Sequence, residues 1–200
     1  KPHLKNQPVV VLSNNDGCVI ARSSLAKKVG IKMGVPFFEV KKIVKQNNVK
    51  VFSSNYTLYA NISSRVMGVL KNYCDKLEIY SVDEAFLILN KYSERSFFQR
   101  AIQIKKTVKK WIGVPVSIGI ANNKTLSKIA NHLAKKDELG TQVVELLDKR
   151  QTEIALKVLE VGDIWGIGSR ISKFLQSNSI QTAYDLYCSD PRWVRQHLGV

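Results

Sequence analysis

Apolar residues in this chain follow two spacings, short unbroken runs and a repeat of three and four, which predict strands and helices respectively. Val9-Val10-Val11-Leu12 is an unbroken run that predicts a short buried strand. The turn-rich Ser13-Asn14-Asn15-Asp16-Gly17 follows, and Cys18 to Ala21 predict a second strand of the same pair. Ser23 or Ser24 can cap a short helix through Val29 that Gly30 ends. Gly34-Val35-Pro36 then breaks the chain before a basic helix around Glu39 to Gln46. Between Tyr56 and Tyr73, Leu58, Ile62, Val66, Val69 and Leu70 recur at helical spacing and predict a long amphipathic helix.

Two apolar runs, Leu77 to Tyr80 and Ala85 to Leu89, predict a strand pair. Phe97, Ala101, Ile104, Val108 and Trp111 mark another amphipathic helix that stops near Gly113, with Arg100, Lys105, Lys106, Lys109 and Lys110 on its exposed face. Val114 to Ile120 predict a strand with Pro115 near its start, where a missing N–H costs little. A helix from Thr125 to Lys136 and a strand from Gln142 to Leu146 complete the unit. This order is the β-α-β-β-α-β arrangement of ferredoxin-like folds without its opening strand, which is expected before Lys1. The last fifty residues change character: Val161 to Gly168 lead through a glycine hairpin into a basic helix from Ser169 to Leu175.

Chemistry enters between the two central runs, where Ser81-Val82-Asp83-Glu84 places two adjacent carboxylates. Strands apolar on both sides read as buried, and a buried carboxylate needs a cationic partner. A hard divalent cation such as Mg²⁺ suits such a site, because it takes carboxylate oxygens and keeps positions for water and phosphate. Two such ions can run nucleotidyl transfer. A solvated turn is the alternative reading of an Asp-Glu pair.

Composition favours a polyanionic partner. Thirty-one Lys and Arg against sixteen Asp and Glu leave a formal charge of +15 over 200 residues, the footprint of a nucleic-acid-binding protein. The basic residues are spread along the chain rather than gathered in one amphipathic segment, and no apolar run approaches the roughly 18 residues of a spanning helix, which argues against a membrane role. Cys18, Cys74 and Cys188 are odd in number and lack zinc spacing, which argues against a disulfide framework and a zinc site and implies a reducing cytoplasm. Gly166 and Gly168 leave backbone N–H groups uncovered ahead of a helix N-terminus, so this segment reads as a helix-hairpin-helix clamp for DNA phosphate. A bare helical turn is the alternative.

Four segments then carry a resemblance: Val9 to Arg22, Ser53-Ser54-Asn55-Tyr56 with Leu58-Tyr59-Ala60, Ile79-Tyr80-Ser81-Val82-Asp83-Glu84-Ala85-Phe86, and Ile164-Trp165-Gly166-Ile167-Gly168. In this order they resemble the Y-family of translesion DNA polymerases, most nearly its UmuC group of SOS mutagenic polymerases. The resemblance implies an α+β fold: fingers over residues 1–54, a ferredoxin-like palm lacking its first strand over 55–150, and an all-α helix-hairpin-helix thumb over 151–200. It implies template-directed synthesis past damaged bases with two Mg²⁺ ions, Asp83 bridging both and Glu84 on the ion that activates the primer 3′-hydroxyl. Successive strand residues point to opposite faces, so both carboxylates reach metal only if the hairpin bends there.

By the same resemblance Lys128 contacts the incoming triphosphate. Its neighbours Leu126, Ile129, Ala130 and Leu133 read as buried, which leaves Lys128 and Asn131 on the polar side; a solvated lysine is the alternative. Lys124 and Lys135 are further phosphate candidates. Lys27 stands where the family mostly has arginine, a point charge without bidentate geometry. Ser24 stands where others place a tyrosine and reaches less far. Gly17, Cys18 and Ile20 match the small apolar surface over the nascent base pair, and by residue type alone they equally fit a tight turn with a packed thiol. Gly166, Gly168, Ser169, Arg170 and Lys173 are the DNA-backbone candidates. Implied partners are primer-template DNA and deoxynucleoside triphosphate, with processed UmuD, RecA and the sliding clamp. A first palm strand with a third metal-binding aspartate is expected before Lys1, and a further DNA-gripping domain after Val200, so residues 1–200 alone are expected to have little polymerase activity. A non-catalytic damaged-DNA-binding or scaffold module is the second reading. A nucleotide cyclase is the third, disfavoured by the glycine hairpin and the lack of a Gly-Gly-acidic-acidic-Phe turn.

Overall fold

The computed structural model describes residues 2–89, 96–137 and 140–199 and divides into two units, Lys1–Ser63 and Ser64–Val200. In the first unit, β1 (Val9–Leu12) pairs antiparallel with β2 (Val19–Arg22) and parallel with β3 (Lys50–Ser53). Helices α1 (Ser24–Lys28) and α2 (Phe37–Gln46) connect β2 to β3. Val10 and Leu12 of β1 point inward with Val19, Ala26, Ile31, Val40 and Val49, the alternation expected of a strand covered on one face. The parallel strand β3 is not predicted from the sequence: its four residues carry Lys50 and Ser53 at the ends, and its partner lies some forty positions away. Ser23, rather than Ser24, caps α1, its hydroxyl accepting from the Ala26 N–H at 3.2 Å while also taking the Val9 N–H at 2.9 Å.

Helix α3 (Tyr56–Lys71) leads into the second unit, where β4 (Lys76–Ile79) and β5 (Ala85–Ile88) form an antiparallel hairpin. Helix α4 (Phe97–Ile112) ends on Gly113 at φ 84°, the left-handed C-cap its sequence predicts. Strand β6 (Ile118–Ala121) pairs in parallel with β7 (Val143–Leu146) across α5 (Lys124–Lys136). The strand expected from Val114 is therefore shortened to its last residues, and Gln142, at φ 54°, lies outside β7. Val69 of α3 and Ile104 and Val108 of α4 pack together against Leu87 of β5 and Ile118 of β6, so one pair of helices covers both strand pairs. Of the basic residues predicted to lie exposed on α4, Arg100 instead donates to the Tyr73 carbonyl at 2.8 Å and Lys105 to Gln142 Oε1 at 2.9 Å. Burial pulls the Lys105 ammonium pKa down, against the opposing pull of Asp137.

The remaining elements are helical: α6 (Lys149–Val158), a 3-10 turn (Val161–Asp163), α7 (Ser169–Ser177), α8 (Ala183–Cys188) and α9 (Pro191–Leu198). The expected helix-hairpin-helix is corrected at its first arm, where that single 3-10 turn precedes the glycines. Val161, Leu175 and Ile180 form a separate core with Ile167, Ile171, Trp193 and Leu198. Among the described residues no helix is long and apolar enough to cross a membrane.

Candidate active site

The carboxylates lie at the end of the β4–β5 hairpin. Its loop is closed by the Tyr80 and Ser81 N–H groups, both donating to the Glu84 carbonyl at 3.0 Å. Residues 81–83 form a bend, Glu84 precedes β5, and the Ser81 hydroxyl donates to Asp83 Oδ1 at 2.7 Å. The bend that both carboxylates require is thus present. Their expected burial is not: Asp83 is exposed, Ile79 and Ile88 of the flanking strands are 61% and 45% exposed, and the desolvation argument for a cation does not apply to Asp83. Glu84 is half-buried and already partnered, its Oε2 lying 2.7 Å from Lys128 Nζ and its Oε1 3.9 Å from Lys135 Nζ.

Helix α5 aims Lys128 at this hairpin because Ile129, Ala130 and Ala134 are buried and fix its apolar face. Asn123 caps the helix, its side chain accepting from the Leu126 N–H at 2.9 Å. Asn131, expected to share the polar side with Lys128, faces a different partner and takes the Ser117 hydroxyl at 2.7 Å. Lys124 is paired with Glu78 at 2.6 Å.

Three aromatic residues around the carboxylates carry no predicted role. Tyr80 and Trp165 meet edge to face with centroids 5.3 Å apart, Phe86 lies 5.8 Å from Trp165, and Trp165 Nε1–H donates to the Tyr80 hydroxyl at 3.2 Å. The Lys128 ammonium lies 5.3 Å from the Tyr80 ring and 5.7 Å from that of Trp165. A period-two pattern held part of this signal, since strand alternation puts Glu84 and Phe86 on the face that also takes Glu78 and Tyr80. Trp165 carried none, because its approach to the hairpin is purely tertiary.

Just after Trp165, Gly166 adopts φ 96°, a conformation that favours glycine, and Gly168 is the N-cap of α7 without a side-chain cap. Ser169 opens α7, and Arg170 and Lys173 are exposed three residues apart, opposite the inward Leu175. In the first unit, Lys27 and Ser24 are exposed on α1. The Gly17 carbonyl accepts from the Phe37 N–H at 2.8 Å, half-buried Cys18 bridges to Pro36, and Ile20 is 38% exposed on β2.

The donor set suits a hard cation in type: two adjacent carboxylates, one exposed and one drawn to a positive charge, match an ion that takes one or two carboxylates together with water and phosphate. Among the described residues no group of three or more His, Cys, Asp or Glu is gathered in metal-binding fashion, so Asp83 and Glu84 stand as a pair.

The chain is 45% identical over 202 residues to Protein UmuC of Salmonella typhimurium, covering all of this chain and 48% of that protein. It is 31% identical over 191 residues to DNA polymerase IV of Saccharolobus solfataricus, covering 92% of this chain and 52% of that one. The chain thus spans about half the length of the curated relatives it matches. The insertion ternary complex of Dbh DNA polymerase superposes with a TM-score of 0.82 at 26% identity, over 98% of this chain and 57% of that one. The model of the impB/mucB/samB family matches residues 1–132, and the chain belongs to that family.

Proposed function

We propose that the protein to which these residues belong is an error-prone translesion DNA polymerase, extending a primer past damaged template bases in SOS DNA repair. The observation that carries this reading is the carboxylate hairpin closed onto Lys128 in a chain that resembles both UmuC and DNA polymerase IV. Residues 1–54 are read as fingers, 55–150 as a ferredoxin-like palm and 151–200 as the thumb. The ferredoxin-like reading is supported by the separate pairs β4–β5 and β6–β7 under one helical layer, which one further strand would join into a single sheet.

Asp83 and Glu84 would hold divalent ions, with Mg²⁺ as the proposed species. Bound there, such ions supply activation of the primer 3′-hydroxyl and neutralisation of the leaving pyrophosphate. Lys128 places a positive charge beside them for the triphosphate, and its largely desolvated position strengthens that attraction. Lys27 and Ser24 are read as triphosphate contacts, and Gly17, Cys18 and Ile20 as the apolar surface against the nascent base pair. Gly166, Gly168, Ser169, Arg170 and Lys173 are read as gripping DNA backbone irrespective of sequence. Processed UmuD, RecA and the sliding clamp are proposed protein partners, by resemblance to the UmuC group.

Primer extension by the full-length protein tests the reading. Asp83→Ala should abolish synthesis while leaving DNA affinity within about twofold, because phosphate contacts elsewhere supply most of it. Normal extension by Asp83→Ala would refute the assignment. In the same assay residues 1–200 alone should extend primers weakly, and robust synthesis would show that two carboxylates suffice.

A further inference from the structure

The Lys128–Glu84 pair puts a positive charge on one of the carboxylates read above as ion ligands. It is more than a surface contact: Nζ and Oε2 are 2.7 Å apart, and the two side chains are only 20% and 27% exposed. The ammonium also lies against two ring faces, those of Tyr80 and Trp165, at 5.3 and 5.7 Å. Those rings are held by the hydrogen bond from Trp165 Nε1–H to the Tyr80 hydroxyl and by their edge-to-face packing at 88°. The carboxylate, the ammonium and the indole come from three separate segments, so the seat is a product of the fold.

We propose that Lys128 is a built-in placeholder cation for Glu84, held by Tyr80 and Trp165 as positioning residues, and that a divalent ion occupies Glu84 only by displacing its ammonium. This rests on the reading of Asp83 and Glu84 as ion ligands. Without ion or nucleotide, a half-buried carboxylate costs less when an ammonium neutralises it. When an ion arrives together with a triphosphate, the displaced ammonium has a second anion at hand, so the exchange of partners conserves charge pairing. An ion arriving alone must displace Lys128 without that compensation. The site thus favours ion and nucleotide together over the ion by itself, and Lys135, at 3.9 Å from the same carboxylate, adds to the bias.

The test is Mn²⁺ binding to the full-length protein without DNA or nucleotide, read from the electron paramagnetic resonance of the free ion. Lys128→Met should bind Mn²⁺ about fivefold tighter than the wild type. Lys124→Met, which removes an equal charge from the neighbouring pair with Glu78, should change affinity by less than about twofold. Lys128→Arg, which keeps a charge on Glu84, should bind no tighter than the wild type, and Trp165→Ala, which leaves Lys128 in place but removes its seat, decides the matter if Lys128→Met does not fold: unchanged affinity in Trp165→Ala overturns the proposal. Equal or weaker binding by Lys128→Met, or clearly tighter binding by Lys128→Arg, overturns the proposal. Trp165 emission, taken as the difference between each protein and its Trp165→Phe counterpart, should respond to Mg²⁺ as the ammonium leaves the ring and lose that response in Lys128→Met; a response that persists there also overturns it. Trp165→Ala should tighten Mn²⁺ binding in the direction of Lys128→Met, and Trp165→Phe should restore the wild-type value. Ion binding that survives Asp83→Ala and Glu84→Ala refutes the ligand reading itself, whereas binding that needs both carboxylates but ignores Lys128 refutes only the placeholder.

Discussion

Gly119 on β6 has no room for a side chain. A Cβ there would lie inside van der Waals contact of the Asn131 backbone nitrogen and the Ser127 carbonyl oxygen, both on α5. Backbone cannot yield as a flexible side chain does, so Gly119→Ala should cost about 3 kcal/mol in a denaturant titration. It should also push α5, and with it Lys128, away from Glu84. Gly168→Ala, with open space around the new methyl group and φ −83°, should leave stability within about 0.5 kcal/mol. Nothing in the sequence shows which of these two glycines has backbone packed against it. The same holds for the Lys128–Glu84 pair: the hairpin and the helix are each legible, but their partners are 44 positions apart and meet only through the packing of α5 on its strands.

At the scale of elements, legibility followed length and capping. Helices α3, α4 and α5 carry sustained apolar stripes with terminal signals, and these three lie within two residues of the predicted bounds. Strand β3, with polar Lys50 and Ser53 at its ends, offers no unbroken apolar run to announce it, and the predicted β6 is shortened to the residues that pair with its parallel neighbour β7. Helices α6, α8 and α9 have no counterpart in the sequence-based prediction, although α8 carries a complete capping box between Thr182 and Asp185. Thr182→Ala should cost about 1 kcal/mol at neutral pH. Hydrogen bonds from Thr182, backbone first and then side chain, with the Gln181 N–H, hold the Asp185 carboxyl below its ordinary pKa. A depressed pKa stabilises the fold above the unfolded carboxylate value of about 3.9, and that contribution disappears as pH falls through the lower folded value. Melting temperatures of wild type and Asp185→Ala should therefore differ at neutral pH and converge below about pH 4. A gap that widens on acidification would contradict this cap.

For the molecule as a whole, the charge of +15 is the property that sequence and structure express alike. If it serves phosphate contacts, DNA affinity of the full-length protein should fall by about a thousandfold between roughly 50 and 200 mM salt for a footprint of about six phosphates. Replacing Arg170 and Lys173 together by alanine should lower the magnitude of the logarithmic salt slope by about two, equally for every DNA sequence. Fluorescence anisotropy across a salt series measures both quantities, and an unchanged slope in the double variant would take α7 off the DNA.

Read alone, the amino-acid sequence determined the α+β class, the long helices, the strand pair that brackets Asp83 and Glu84, and the net charge of +15. These follow from local periodicity, capping chemistry and summed charge, all of which are written in neighbouring residues. Tertiary structure decided that Asp83 is exposed rather than buried, that β1 pairs with β3, and that Lys128 rests on Glu84 between Tyr80 and Trp165. Those outcomes depend on which distant surfaces pack together, a choice made by burial of the whole core.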